Sequence, residues 1–437
     1  MRRTPPKFHT PTWYEDALGP GPDFEPLEGE RRARVAIIGA GLAGLNTARG
    51  LIDRSLDDIV VLEAGLPGEG ASGRNGGFVF AGYSLDNRKL LHQIGPEQAR
   101  CLHGWTREAV GLIRKRAAEM NCPVNEAGVL LADWFGDRGR LERFRDEMAR
   151  ELDFELQWVA REDIGGLVAS ERYGDGLLEP GTFHFNPLEY ARKLASGIVE
   201  AGGRVHGMSP AESIARDRHG WLVTTPAGRV RCEKLVLSTG GYDRRLWPAA
   251  QRAIQPIASY IMVTEPLGEQ IHACLPVPVA VYDTRFAFDY FRPLPDTRLL
   301  WGGRISIMDR KPAAIERLLR RDLARVFPAL AGVGIGFSWG GWMSYARHQM
   351  PILRTAGDGL YLGIAFGGHG LATTTAGGEV LAEAITGQSD RLEAFGRWPD
   401  SWAGGAAGRL AVQGVYAAKI FQDRLRDWRG RPARPVL

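Results

Sequence analysis

An α/β fold is what the sequence predicts, and three observations carry it. Residues 35–38, Val35-Ala36-Ile37-Ile38, form a short apolar strand-like run that passes through closely spaced glycines into a helical stretch reaching Asp53. Residues 58–63 then form the next strand, completing a β-α-β unit. Two more junctions of strand into glycine turn recur at 237–241 and 366–370, so a domain that gathers all three is visited by the chain repeatedly. Finally, 437 residues that are 44% hydrophobic and 24% charged hold enough apolar chain for two or three domains, and disorder is not their default.

The elements follow in order. Residues 1–30 are rich in Pro and Gly without periodicity and read as an arm lying on the body, with Trp13 and Tyr14 as its large side chains. After the β-α-β unit comes a glycine-rich stretch at 70–77, then helical patterns at about 96–120 and 137–152. A helix over 187–200 stops at Gly202-Gly203, and three strands follow at 204–208, 221–225 and from Val230 to Ser238. Residues 282–301 read as a hairpin with Phe286, Phe288 and Tyr290 on one face, a turn at Pro293-Leu294-Pro295-Asp296, and a return through Leu299-Leu300-Trp301. A helix at 311–327, a strand at 359–366 and a helix at 372–386 complete the pattern. The domain boundaries this gives are an arm at 1–30, a dinucleotide domain from 31–92, 183–246 and 345–390, a substrate domain from 93–182 and 247–344 with a mixed or antiparallel sheet and helices, and a C-terminal extension at 391–437.

Composition excludes several functions. Fifty-five basic and 51 acidic residues leave a net charge of +4 with no basic block, which argues against nucleic-acid binding. Cys101, Cys122, Cys232 and Cys274 stand far apart without CxxC or Cys/His spacing, so neither a disulfide framework nor a metal site is expected. No apolar run approaches 18 residues and no secretory core follows Arg2 and Arg3, so no membrane span is expected and the expected compartment is the cytoplasm. Glycine is the outlier: 56 of 437 residues is about 13%, against a usual ~7%, with no Gly-X-Y period.

Those glycines have a place to act. Gly39-Ala40-Gly41-Leu42-Ala43-Gly44 has the G-x-G-x-x-G spacing in which the first glycine permits a tight turn, the second admits a pyrophosphate to the backbone and the third packs helix on strand. Glu63 ends the next strand, where a carboxylate accepts from ribose hydroxyls, so the unit reads as a Rossmann-type dinucleotide site; NAD and FAD share this fingerprint. Gly70 to Gly77 is too glycine-rich for regular structure and reads as a loop wrapping an extended cofactor, or an ordinary surface loop. Gly367-Gly368-His369-Gly370-Leu371-Ala372-Thr373 puts glycine backbone and hydroxyls at a helix start, which is either a Thr-capped helix or a site that stabilises negative charge.

Taken together, residues 35–44, Leu62-Glu63-Ala64, the GASGRNGG loop at 70–77, His184-Phe185-Asn186-Pro187-Leu188, Leu299-Leu300-Trp301-Gly302-Gly303, Gly367-Gly368-His369-Gly370 and the tail from Pro399 resemble the FAD-dependent D-amino-acid oxidase/glycine oxidase superfamily, and within it the γ-glutamylputrescine oxidase branch. The resemblance spans nearly the whole chain. It implies that Gly39 to Gly44 hold the pyrophosphate of non-covalent FAD, that Glu63 with Ala64 binds the adenosine ribose, and that Ser72, Arg74, Asn75, Gly76 and Gly77 line the ribityl and ring side. It also implies that Ala211 meets adenine, Thr239-Gly240 the diphosphate, and Gly368, His369, Gly370, Leu371, Ala372 and Thr373 the pyrimidine end of the ring.

Departures from the family matter too. Relatives that oxidise sarcosine-like substrates carry an Arg-containing stretch after the glycine-rich loop and a Lys beyond the late Gly-His-Gly, where this chain has Phe78-Val79-Phe80 and Ala372. A small α-carboxylate is not gripped in that way here. Leu300-Trp301 stands in the segment of a Lys associated with oxygen activation, which leaves an acceptor other than O2 open.

The expected reaction is oxidation of a C–N bond in a small-molecule amine or amino acid by hydride transfer to flavin N5, giving an imine that hydrolyses, with O2 returning peroxide. Tyr290, Trp301, Arg347 and His369 are the candidates at the reacting end. Phe286, Phe288, Trp339, Trp342 and Tyr345 could complete an aromatic wall that disfavours the ammonium form, or form the core of the second domain. Arg292 and Arg304 join Arg347 as possible anchors, and His348 joins His369 as a possible proton acceptor. The alternatives are a dehydrogenase of the same fold with a non-oxygen acceptor, an NAD-dependent dehydrogenase, and a dinucleotide-binding scaffold without redox chemistry.

Overall fold

The computed structural model describes residues 10–242 and 246–429. Its first sheet has the strand Gly29–Ile38 near its centre, flanked in parallel by Ile59–Leu62 and Gly228–Leu237. Arg204–His206 continues the sheet in parallel beyond Ile59–Leu62, and Gly220–Thr224 and Ser213–Asp217 extend the other edge as an antiparallel meander. Leu360–Ile364 also pairs in parallel with Gly228–Leu237, with Ile352–Thr355 antiparallel beside it. Because the strands ending at Ile38, Leu62, Leu237 and Ile364 all run the same way, the three glycine junctions open at one edge of the sheet. Parallel α/β sheets bind ligands at this carboxyl edge.

The second sheet has eight strands in the order Ile335–Ala346, Ile254–Thr264, Leu299–Ser306, Asp289–Pro293, Ala280–Asp283, Val129–Ala132, Gly176–Glu179 and Gln157–Val159. It is antiparallel except between Ala280–Asp283 and Val129–Ala132. Its two longest strands, Ile254–Thr264 and Ile335–Ala346, escaped the sequence reading. They are covered on both faces, so Ile254–Thr264 is buried at most positions and lacks the alternation that marks a half-exposed strand. A small third sheet, Phe78–Val79, Phe183–Phe185 and Val124–Asn125, lies between the two.

Pairing parity divides the second sheet into two environments. Tyr290 lies opposite Gly302 and Tyr282, and Phe291 lies opposite Trp301 and Val281. Side chains alternate across a pleat, so Tyr290 and Trp301 point to opposite faces. The outer face, with Tyr260, Met262, Phe291 and Trp301, packs with Ile315, Leu319 and Leu323 of the helix Pro312–Val326. On the inner face Ile261, Leu300 and Trp339 pack with Trp13 and Tyr14 of the N-terminal arm.

One boundary differs from expectation. The helix Asn87–Glu119, with Gly95 at φ +77 just before Pro96, was expected largely in the substrate domain. Its Ala99, Leu102, Ala109 and Ile113 instead share a core with the glycine helix Leu42–Ile52 and the late helix Gly370–Thr386. Arg116 fastens the three, donating to Asn46 at 2.9 Å, Asp53 at 2.9 Å and Glu379 at 2.6 Å. The C-terminal extension contains the helix Gly405–Arg429, which lies on the second sheet: Tyr416 accepts from Ile305 N–H at 3.0 Å, and Asp423 from Ala287 N–H at 3.1 Å.

Candidate active site

The turn after Gly29–Ile38 admits only glycine at its critical positions. Gly39 has φ +106, and a Cβ there would meet the Ser238 carbonyl at 2.5 Å; a Cβ on Gly44 would meet the Gly39 carbonyl at 1.9 Å. Gly41 begins the glycine helix without a side-chain cap, and a Cβ there would meet the Ser72 hydroxyl at 2.9 Å. That hydroxyl accepts from Leu42 N–H at 2.8 Å, at the helix N-terminus where an anion is stabilised. Ala40 and Gly41 thus face a backbone cradle at the carboxyl edge, with Leu42, Ala43 and Gly44 buried behind it.

Glu63 ends the neighbouring strand and accepts from Ala40 N–H at 2.7 Å and Gly65 N–H at 3.1 Å. Burial pushes its carboxyl above the ordinary range, partly offset by those donors. Ala64 beside it is exposed. Ser209 N–H donates to the Glu63 carbonyl at 2.7 Å, which brings the loop holding the half-buried Ala211 to this end of the cradle. Thr239 and Gly240 follow Ser238, whose N–H donates to Ile38 O at 2.9 Å, so they adjoin the Gly39 turn.

The loop at 70–77 is held by its own side chains and by distant ones. Asn75 closes it, donating to Ser72 O at 2.7 Å and accepting from Gly77 N–H at 2.8 Å. The Arg74 guanidinium, expected to line the flavin, donates instead to Glu69 O at 3.0 Å and Thr10 O at 3.1 Å, because it is buried against the N-terminal arm. Its carbonyl accepts from Trp339 Nε1 at 3.0 Å. Arg292 was a candidate substrate anchor. It is 2% exposed and committed to the loop, donating to Gly76 O at 2.6 Å, Phe185 O at 2.8 Å and the Tyr14 hydroxyl at 3.1 Å. Tyr14 in turn donates to Asn75 O at 2.8 Å. Burial and Arg292 hold the neighbouring His184 neutral, with its pKa lowered to about 3.

The arm is therefore a wedge, and the sequence shows why its helix forms. Thr12 and Glu15 make a reciprocal capping box for Trp13–Leu18, and Trp13 Nε1 donates to Asp296 at 2.9 Å. Nothing in the sequence pairs Tyr14 with Arg292, 278 positions later.

The late helix Gly370–Thr386 starts at His369 without a side-chain cap, and Leu371, Ala372 and Thr373 of its first turn are buried. The expected Thr capping is absent: Thr373 donates backwards to His369 O at 2.6 Å. Ser84, which the sequence did not flag, orients the approach by accepting from Gly368 N–H at 2.9 Å and His369 N–H at 3.3 Å. Burial lowers the His369 pKa to about 4, so its imidazole is neutral at physiological pH.

From His369 an aromatic belt runs onto the inner face of the second sheet. The His369 ring meets Phe80 edge-on at 5.0 Å, Phe80 stacks on Tyr282 at 5.7 Å, and Tyr282 meets Phe288 at 6.1 Å. Phe288 leads to Tyr290 at 6.4 Å, and Tyr290 to Phe78 at 5.5 Å. A Cβ on Gly76 would meet the Tyr290 ring at 2.8 Å, so the belt rests on the glycine-rich loop. Tyr290 and His369 are thus linked through one run of rings, in which Phe80 and Tyr282 supply what the sequence left out.

Other candidates lie elsewhere. Trp301 is wholly buried on the outer face, stacked on Phe291 at 4.6 Å, because it pairs one position out of phase with Tyr290. Arg347 is exposed after the strand Ile335–Ala346, beyond the belt. His348 bonds the Pro399 carbonyl at 3.2 Å and accepts from Met350 N–H, a turn-closing role. Arg304 is paired with Asp289 at 3.0 Å and with Asp322. Trp342 faces the outer core, and Phe286 turns out toward Tyr416 at 6.1 Å, so it does not share the strand face of Phe288 and Tyr290.

The family model for FAD-dependent oxidoreductases, DAO, matches residues 34–384. The chain belongs to this family. The FAD-dependent oxidoreductase is 30% identical over 423 residues to the gamma-glutamylputrescine oxidoreductase of Escherichia coli K12, covering 95% of this chain and 99% of that one. Its fold is similar to glycine oxidase from Geobacillus kaustophilus (TM-score 0.69, 20% identity, 82% of this chain and 96% of that one) and to L-proline dehydrogenase from P. horikoshii (TM-score 0.70, 18% identity, 84% and 96%). FAD is its cofactor, and the uncapped helix start at Gly41, held on the tight turn that only glycine permits at Gly39 and Gly44, fits the pyrophosphate of a dinucleotide. Among the described residues, no helix is long and apolar enough to cross a membrane.

Proposed function

We propose that this FAD-dependent oxidoreductase oxidises the C–N bond of an amine or amino acid, with γ-glutamylputrescine-like amines as the first class to test, giving an imine that hydrolyses to a carbonyl compound. The aromatic belt from His369 to Phe78 carries this reading. A surface of rings disfavours a charged ammonium and favours the neutral amine that can give up hydride, while ring faces attract the cation as it arrives. Non-covalent FAD supplies the two-electron acceptor when bound.

The chain's own residues prepare the site. Gly39, Gly41 and Gly44 receive the pyrophosphate, Glu63 the ribose with Ala211 at the adenine, and Ser72, Gly76 and Gly77 the ribityl and ring side. The uncapped start of the late helix, from Gly368 to Thr373, directs backbone N–H groups at developing negative charge. Neutral His369 can accept a proton or hydrogen bond from the amine nitrogen, and Tyr290 and Phe288 orient the carbon chain. The four free, widely spaced thiols suit a reducing cytoplasm.

Purified protein should be yellow and should bleach anaerobically with one class in a panel of putrescine, N-acylputrescines and secondary amino acids. Rapid recolouring in air identifies O2 as acceptor, and slow recolouring identifies a different one. A yellow protein that none of these amines bleaches would overturn the proposal.

A further inference from the structure

One buried carboxyl on the belt has no role in the reading above. Glu179 ends the strand Gly176–Glu179 and lies opposite Val129, which lies opposite Ala280. By parity it shares the inner face with Leu177 and Tyr282, the face that also carries Tyr290. It is 8% exposed, and its Oε1 accepts from Ala81 N–H at 3.1 Å. Ala81 directly follows Phe80, whose ring lies between Tyr282 and His369. Among the described residues it has no ion-pair partner. The charged group that acts on it is Arg107 on the helix Asn87–Glu119, whose side chain is hydrogen-bonded to Asp153 O, and Tyr282 is the titratable neighbour across the sheet.

An unpaired carboxyl in such surroundings is costly to hold, and burial raises its proton affinity, bringing its pKa to about 8. Arg292 and Arg304, two of the candidate anchors, are meanwhile occupied: Arg292 by carbonyls and Tyr14, and Arg304 by Asp289 and Asp322. The inner face thus offers an incoming substrate a carboxyl in place of a guanidinium clamp, protonated in the empty site at neutral pH and ionised when a cation stands beside it.

We propose that Glu179 is the counter-ion that receives the ammonium group of the substrate, selecting cationic amines over amino acids that must be held by their carboxylate. This rests on the C–N oxidation reading and specifies its substrate class. As the ammonium pairs, the proton held by Glu179 leaves to solvent; an N–H bond of the ammonium then breaks, an O–H bond forms on Glu179, and a neutral amine is left at the belt.

The test separates the two readings. The holoenzyme, Glu179→Gln and Glu179→Asp are titrated anaerobically with tert-butylammonium chloride, which has no hydrogen on its α-carbon to lose, against matched NaCl and against neutral tert-butanol. The visible flavin band is read. We expect a saturable change with the cation in the native protein, at least tenfold weaker in Glu179→Gln and partly restored in Glu179→Asp. Equal half-saturation in native and Glu179→Gln protein, or no cation-specific change in the native protein, would overturn the assignment. Bleaching by putrescine or N-acetylputrescine is followed in parallel. Cation binding that depends on Glu179 in a protein no amine bleaches keeps the counter-ion and removes the oxidase reading; bleaching with identical concentration dependence in native and Glu179→Gln protein does the reverse.

Discussion

The two faces of the second sheet are built from the same strands and similar aromatic side chains, yet they do opposite work. On the outer face Phe291, Trp301 and Phe327 form a closed stack, with Trp301 wholly buried. On the inner face Tyr282, Phe288 and Tyr290 belong to a belt that begins at a helix start and comes to the surface at Phe288, which is 40% exposed. The difference lies in what covers each face: a packed helix on one side, the cofactor-binding half of the molecule on the other. Aromatic content therefore does not distinguish the two faces; the parity of strand pairing does.

Trp301→Ala tests the closed face and should have the largest effect. Removing a buried indole costs about 3–5 kcal/mol through lost contacts and the cavity left behind. Denaturant unfolding should record that loss, while the half-saturating amine concentration of the folded fraction stays unchanged. A shifted amine dependence at full stability would put Trp301 at the substrate after all.

Arg292→Met comes next, at the seam between the halves. It removes the donor from two carbonyls and from Tyr14, and breaking up a buried charged group's contacts by removing one partner costs about 3–5 kcal/mol in all. A stability loss of about 3 kcal/mol should be accompanied by a lower FAD-to-protein ratio, because the loop it releases lies against the proposed flavin site. Full FAD content with lost stability would confine Arg292 to packing.

The cofactor side was more legible in the sequence than the substrate side, for a physical reason. A pyrophosphate against backbone requires glycine at fixed spacing, so Gly39, Gly41 and Gly44 declare themselves locally, and Glu63 follows from the length of one β-α-β unit. The inner face has no such local code. Whether Tyr290 or Trp301 faces the cleft is decided by the register of the hairpin and by which face meets the first sheet. Tyr14 and Arg292 meet only after the chain has folded back on itself, and Glu179 stands in an ordinary Leu-Leu-Glu-Pro stretch whose meaning comes from Ala81, nearly a hundred positions earlier.

The Glu179 carboxyl sharpens the comparison through pH. Below its ordinary value of 4.5 both folded and unfolded chains hold the proton. As pH rises past that value the unfolded chain releases it and the folded chain keeps it until about 8, so folding stability declines across this window. Arg107 and Tyr282 are the groups facing it, and burial raises the Tyr282 hydroxyl well above this window. Between pH 5 and pH 7 the contribution amounts to about 2–3 kcal/mol at ~1.4 kcal/mol per unit. Glu179→Gln should therefore melt higher than the native protein at pH 7 by a margin that shrinks toward pH 5. A margin independent of pH would show that the carboxyl ionises normally in the fold.

Phe288→Ala is the smallest perturbation of stability and the sharpest contrast with Trp301. With 40% of its surface exposed, Phe288 has less contact to lose, and the fold should weaken by no more than about 1 kcal/mol. Its position between Tyr282 and Tyr290 means that truncation breaks the belt where it meets solvent, so the half-saturating concentration for amine bleaching should rise several-fold while the limiting bleaching rate changes little. The two substitutions then give inverse patterns, stability without binding at Trp301 and binding without stability at Phe288. If Phe288→Ala instead lowered stability as Trp301→Ala does, with binding unchanged, the inner face would be ordinary core and the substrate wall would have to be sought elsewhere.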